Sequence, residues 1–182
     1  ETHLENLGLP KGSMQLVDSD KNAAVQEYIR NMSKQMIAGG SASNTMRGIA
    51  CLGGYSTFVG MVGKDEVGKV FEQELKDTGV STNLFFSNIP SGTATAFISP
   101  DGERTFATHL GAAIGMTAEL LTPELFKGYD IFHIEGYLVQ NHDLIRKAVH
   151  IAKYGGLKVS LDLASYNVVE ESRDFLMELV EN

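Results

Sequence analysis

The sequence predicts an α/β fold, a parallel sheet flanked by helices that carries a small antiparallel β excursion. Three observations carry that expectation. Segments of helical and strand period alternate with short connections over most of the chain, which is how strand–helix–strand units read. Two six-residue runs of strand character, 93–98 and 104–109, flank an Asp101-Gly102 turn. The 182 residues, 43% hydrophobic and 21% charged, are enough for one buried core.

In chain order, residues 20–35 set Ala24, Tyr28, Ile29 and Met32 at helical spacing, with Asp18, Ser19 or Asp20 available as a cap. Residues 43–52 form a second predicted helix ended by Gly53-Gly54, and 55–62 is a β-branched and aromatic run expected as a buried strand. Over 65–77, Val67, Val70, Phe71 and Leu75 share one helix face, with Gly79 as the stop. Asp65 suits the N-cap of this helix and Gly68 a close-packing point. A strand at 83–87 precedes the hairpin, whose alternating polarity leaves one sheet face that need not be buried. Alternation then resumes with a strand at 130–135, a helix at 141–154 followed by Gly155-Gly156, a strand at 157–163 and a helix at 169–180. No internal repeat or low-complexity tract interrupts the series.

With 23 acidic against 15 basic residues the net charge is −8, and no basic cluster offsets it. That argues against a nucleic-acid backbone or an anionic membrane as main partner and leaves a small molecule as the default. Cys51 is the one cysteine, so no intrachain disulfide can form. Its setting, Ile49-Ala50-Cys51-Leu52, predicts core packing and fits a reducing cytoplasm. No apolar run approaches the roughly 18 residues of a membrane span, and no basic n-region followed by an apolar h-region is found, so a soluble cytoplasmic protein is expected. The chain opens on Glu1 and stops at Asn182 directly after an amphipathic segment, which suggests truncation at both ends.

The run Ala38-Gly39-Gly40-Ser41-Ala42-Ser43-Asn44 is the strongest candidate site. Two glycines let a ligand approach the backbone, and the helix start beyond them supplies unpaired N–H groups and a partial positive charge. Asn44 adds a side chain that both donates and accepts, so the run suits a polyhydroxylated or anionic ligand. The bland reading is a tight turn with Asn44 as a local cap.

Gly39-Gly40-Ser41-Ala42-Ser43-Asn44, followed by Gly53 and then Gly63, resembles the first signature of the ribokinase-like (PfkB) family of sugar and nucleoside kinases. Gly63-Lys64-Asp65-Glu66-Val67-Gly68 is similar to that family's Gly-x-Asp-x-x-Gly element. Ser91-Gly92-Thr93-Ala94 with Asp101-Gly102-Glu103-Arg104-Thr105 is similar to its lid hairpin. Leu110-Gly111-Ala112-Ala113 and Glu135-Gly136-Tyr137-Leu138 also sit where the family has comparable segments. The ordered series covers essentially the whole chain and is far more specific than a lone glycine pair. Met46 departs from the small residue the signature favours. Leu9-Pro10-Lys11-Gly12-Ser13-Met14-Gln15-Leu16 and the glycine run look most like the adenosine-kinase branch.

The resemblance implies a partial ribokinase-like domain over 1–182, the acceptor-binding part of an ATP-dependent phosphotransferase, with lid elements around 13–18, 35–38, 83–87 and 93–110. It places the substrate aspartate of the first strand before Glu1. The Asn-x-x-Glu element, the Gly-Ala-Gly-Asp element with the catalytic base, and the ATP pocket it places after Asn182. No catalytic residue is therefore expected here, and ATP and Mg2+ belong to the full-length enzyme. Gly39, Gly40, Ser41 and Asn44 would hold the acceptor, with Gln15, Arg104 and Tyr137 as further contacts and Asp162 orienting acceptor or phosphate. Gln15 and Arg104 read equally well as exposed polar residues, Tyr137 as core, and Asp162 as a turn or cap. His133 and Glu135, two apart on one strand face, permit metal ligation or acid–base work, but no third ligand stands nearby, so no metal site is expected. The lid is a candidate homodimer surface.

Two other classes stand beside the kinase. A non-catalytic sugar- or nucleoside-binding protein of the same descent would share the cradle. A dinucleotide oxidoreductase is disfavoured, since no Gly-x-Gly-x-x-Gly run joins a first strand to a helix.

Overall fold

The computed structural model describes residues 2–164 and 166–181; Glu1, Ser165 and Asn182, and with them the two chain ends, lie outside the described residues. A short helix, α1 (Thr2–Asn6), precedes strand β1 (Met14–Leu16) and helix α2 (Ser19–Tyr28). Asp18 caps α2 by accepting the Lys21 N–H at 2.8 Å. The helix stops at Tyr28, well short of residue 35, and buries Val25 and Ile29 while Ala24 and Met32 are exposed. Asn31 and Ser33 favour turn over helix.

Helix α3 (Ser41–Cys51), strand β2 (Thr57–Gly63), helix α4 (Glu66–Asp77) and strand β3 (Ser81–Ser87) make one parallel βαβ unit with an extra helix in front. Cys51 is exposed, contrary to its apolar neighbourhood, because the last turn of α3 turns Ile49, Cys51 and Leu52 outward. β2 is half-buried rather than buried, and Tyr55 lies before it, fully exposed. In α4, Leu75 is completely buried and Gly79 ends the helix at φ +84°.

The hairpin forms as expected: β4 (Thr93–Ile98) and β5 (Arg104–His109) pair antiparallel from Thr93↔His109 to Ile98↔Arg104. Gly102 turns the tip at φ +83°. β1 adds to β5 in parallel, giving a three-stranded sheet of order β1-β5-β4. Two of the expected lid elements are not in it. Residues 35–38 form no strand, and 83–87 lie in β3, which pairs with β2. One face of the three-stranded sheet is covered by Leu4, Leu7, Leu9 and Val25, which bury Ala107.

Three 3-10 turns lead to β6 (Ile131–Glu135), helix α5 (His142–Tyr154), parallel strand β7 (Lys158–Asp162), and then α6 (Tyr166–Glu171) and α7 (Arg173–Glu181). The single helix expected at 169–180 is thus two, divided at Ser172. Besides β1–β5, the parallel strands of the α/β body form two pairs, β2–β3 and β6–β7, with no ladder between them among the described residues. They share a core nonetheless: Met116, Phe126, Leu144, Ala148 and Leu157 pack together with Val59, Met61, Phe85, Phe132 and Val159. Among the described residues no helix is long and apolar enough to cross a membrane.

Candidate functional site

Gly40 is the N-cap of α3 and takes φ +95°, ψ 140°, a conformation open to glycine and strained for other residues. Its side of the helix start has no side-chain cap, so the first N–H groups are left for something else. A Cβ on Gly39 would meet nothing within 4 Å, and one on Gly40 only the Ser43 hydroxyl at 4.0 Å. Packing inside the chain therefore does not require glycine at 39; the space over the turn is open.

What holds the turn is a residue that sequence reading passed over. Ser43 is 1% exposed, and its hydroxyl lies 2.6 Å from the Gly39 carbonyl and 3.0 Å from the Gly40 carbonyl. Arg47 donates to the Ala38 carbonyl at 3.0 Å, and the Ala38 N–H donates to Glu74 of α4 at 2.6 Å. The approach to the turn is thus pinned between α3 and α4. Ser41 and Asn44 are exposed, and Asn44 lies inside the helix rather than at its cap.

α3 packs against both β2 and β6. In β6, Phe132 and Ile134 turn into the cores that α5 completes, so His133 and Glu135 take the opposite face. His133 meets the Ser160 hydroxyl at 3.1 Å. Glu135, at the C-terminal end of the strand, is 8% exposed, and its side chain makes no hydrogen bond or ion pair among the described residues. Its carboxylate oxygens are not among the buried atoms left without a partner, so they reach solvent at the strand end; the buried atom without a partner among the described residues is His109 Nδ1. Sequence spacing paired it with His133; only burial singles it out.

Asp162 stands in register with Glu135 at the end of β7 but is exposed, and it accepts the Ala164 N–H at 2.6 Å in a turn where Ala164 takes φ +62°. Tyr137 follows Gly136 in a 3-10 turn and is 41% exposed. With Leu110, Ala113, Ile114 and Leu138 it lines an open groove of about 600 Å³ that Gln140 and Asn141 edge.

Gln15 and Arg104 are not brought together. Gln15 pairs with Ala107 and so lies on the sheet face that α1 and α2 partly cover, but it is itself exposed and reaches Ser13 Oγ at 3.3 Å. Arg104 lies on the other face, with Met14, Leu16, Ala94, Ala96 and Ile98, all exposed.

The root of this sheet is tied to the α/β body through Asp65. One carboxylate oxygen accepts the Gly68 N–H at 2.8 Å and the Ser91 hydroxyl at 2.7 Å; the other accepts the Ser91 N–H at 2.7 Å. Ser91 Oγ in turn accepts the Gly63 N–H at 2.8 Å. Burial pushes the Asp65 carboxyl up, but the bonds from the Ser91 N–H, the Gly68 N–H and the Ser91 hydroxyl outweigh it and hold the group below its ordinary value. Gly63 and Gly68 fit here because a Cβ on either would strike neighbouring backbone. Asp65 is the N-cap and Gly68 the close-packing point that the sequence predicts.

Among the described residues no group of three His, Cys, Asp or Glu side chains gathers to hold a metal ion. No described residue is assigned to Mg2+ or to ATP.

The sequence pattern described as pfkB family carbohydrate kinase matches residues 12–181. Fructokinase-1 of Zea mays is 33% identical over 132 residues, which are 68% of this chain and 41% of that protein. The adenosine kinase from Sinorhizobium meliloti superposes with a TM-score of 0.85 at 30% identity, over 98% of this chain and 56% of that one. A probable sugar kinase protein from Rhizobium etli CFN 42 gives 0.86 at 27% identity, over 98% and 55%. The chain spans about half the length of the proteins it matches.

Proposed function

From the premise that the chain belongs to the pfkB family of carbohydrate kinases, we propose that it is the acceptor-holding part of an ATP-dependent kinase acting on a hydroxyl of a sugar or nucleoside. The observation that carries this reading is the glycine turn at the start of α3, whose outer side is open while its inner side is fixed by Ser43. Phosphoryl transfer is mostly positioning and charge stabilisation, so holding an acceptor hydroxyl still is a large part of the work. Backbone N–H groups of the turn and Asn44 bind hydroxyls, and Glu135 accepts from another. Tyr137 and its apolar neighbours cover a flat or apolar part of the acceptor. Arg104 reaches the acceptor from the open lid face, and Gln15, exposed on the opposite face of the sheet, is a further polar contact for it. The same open face is the surface through which a second copy would bind. Asp162 acts as a local turn former. ATP supplies the phosphoryl group and Mg2+ its charge neutralisation, both held by chain outside these residues, in a cytoplasmic enzyme.

The test uses the product of the complete reading frame. ATP consumption is measured with ribose, fructose and adenosine, and binding of each by calorimetry. Turnover with one of them, weakened at least tenfold in acceptor KM by Glu135→Gln, is expected. Absence of turnover with all three overturns the kinase reading. Binding without turnover would leave a sugar- or nucleoside-binding protein.

A further inference from the structure

The chain enters and leaves the β4–β5 hairpin through a backbone crossing. A Cβ on Gly92 would lie 2.6 Å from the Leu110 carbonyl oxygen, and one on Gly111, at φ +53°, 2.6 Å from the Gly92 nitrogen. The Ala112 N–H donates to the Pro90 carbonyl at 2.8 Å across the crossing. The hairpin ladder begins immediately beyond, at Thr93↔His109. On the body side the crossing is fastened by Ser91, 5% exposed, whose N–H and hydroxyl both go to Asp65.

We propose that Asp65 is a positioning residue for the three-stranded sheet: its carboxylate, through Ser91, fixes the pivot from which the open lid face is set relative to the α/β body. The inference goes beyond the kinase reading and holds whichever acceptor is bound.

The chemistry separates this role from helix capping. A carboxylate has only acceptor oxygens, so it serves the donors of Gly68 and Ser91 together. An asparagine caps a helix about as well as an aspartate, but it offers one oxygen. With that oxygen on the Gly68 N–H, its amide NH2 faces the Ser91 N–H, donor against donor. Asp65→Asn therefore keeps the cap, and the Ser91 hydroxyl bond to the same oxygen, but replaces the Ser91 N–H bond with a donor–donor clash. Ser91→Ala breaks the hydroxyl link and leaves the carboxylate.

Residue-resolved amide hydrogen exchange on this chain tests it. In Asp65→Asn the Ser91, Gly63 and Ala112 amides are expected to exchange at least tenfold faster. Gly68, the hairpin ladder amides and those of α5 and β7 should keep their wild-type rates. Ser91→Ala should accelerate Gly63 and Ala112 likewise, and it serves as the test where Asp65→Asn does not fold. Unchanged rates at the crossing would overturn the proposal, and so would a uniform rise through α5 and β7, which is what a general loss of stability gives. Failure of the kinase reading would show as absent turnover and would leave these rates untouched.

Discussion

Gly39 and Gly40 are adjacent and chemically identical, yet the structure gives them different reasons to be glycine. Gly40 needs its φ of +95°, whereas a methyl at Gly39 finds empty space. Gly40→Ala should therefore lower stability by roughly 1–3 kcal/mol, the usual cost of holding such a residue in sparsely allowed backbone. Gly39→Ala should leave the urea midpoint unchanged while weakening acceptor binding by at least tenfold in calorimetry on the complete product. Equal loss of binding and stability at Gly39 would make the turn merely structural. Asp65 yields a pH prediction. Its folded value lies below the ordinary 3.8, so its stabilisation is complete above about that pH and is lost as pH falls through the lowered value. Urea midpoints stepped through that acid range should decline more steeply in the wild type than in Asp65→Asn, the remainder coming from the other lowered carboxyls such as Asp101 and Glu178. The Asp65 cap was legible because its partner is three residues away. Its bonds to Ser91, 26 positions on, were not, since nothing local marks them. Ser43 escaped notice for a similar reason: a serine in a helix is unremarkable until its burial is known.

The elements that the sequence predicted best are those whose chemistry is local. The β4–β5 hairpin is set by strand alternation around an Asp-Gly tip, and α5 by its apolar stripe with Asn141 as the cap. Helix α4 belongs with them, and Leu75, 0% exposed, is the side chain that fastens its face. Leu75→Ala should cost about 2–5 kcal/mol in urea unfolding, the range for a buried leucine that leaves a cavity. A smaller loss would mean that α4 collapses onto the space. Periodicity misled at α2 and near the C-terminus. α2 lies on the hairpin through Val25, packed on Ala107, and through polar contacts at its sides, Gln26 donating to Thr95 at 2.9 Å and the Thr93 hydroxyl to Asn22 at 3.3 Å, so its buried stripe is narrower and shorter than the periodicity suggests. At 169–180 the apolar spacing runs on across Ser172, where the chain changes helix. Cys51 sits among apolar residues that face outward together, a pattern that a sequence cannot tell from an inward one.

For the whole molecule, the family follows from residues 12–181, and the chain spans about half the length of its matched relatives. The Gly-Ala-Gly-Asp element that the resemblance places with the catalytic base is not among the 182 residues. A clean preparation of this chain is accordingly expected to show no phosphoryl transfer to ribose, fructose or adenosine above the no-protein rate in a coupled ATP assay, and measurable transfer would refute that. By itself the sequence determined the α/β class, the hairpin, the glycine turn and the kinase family, because each is written in residues close together or in an ordered series of short motifs. Tertiary structure alone decided that Gln15 and Arg104 face opposite ways, that Glu135 is largely buried at the end of its strand, and that Asp65 reaches the lid root. Those facts depend on which strands pair, in what register, and on which face another element lands, and such long-range contacts leave no periodic trace in the chain.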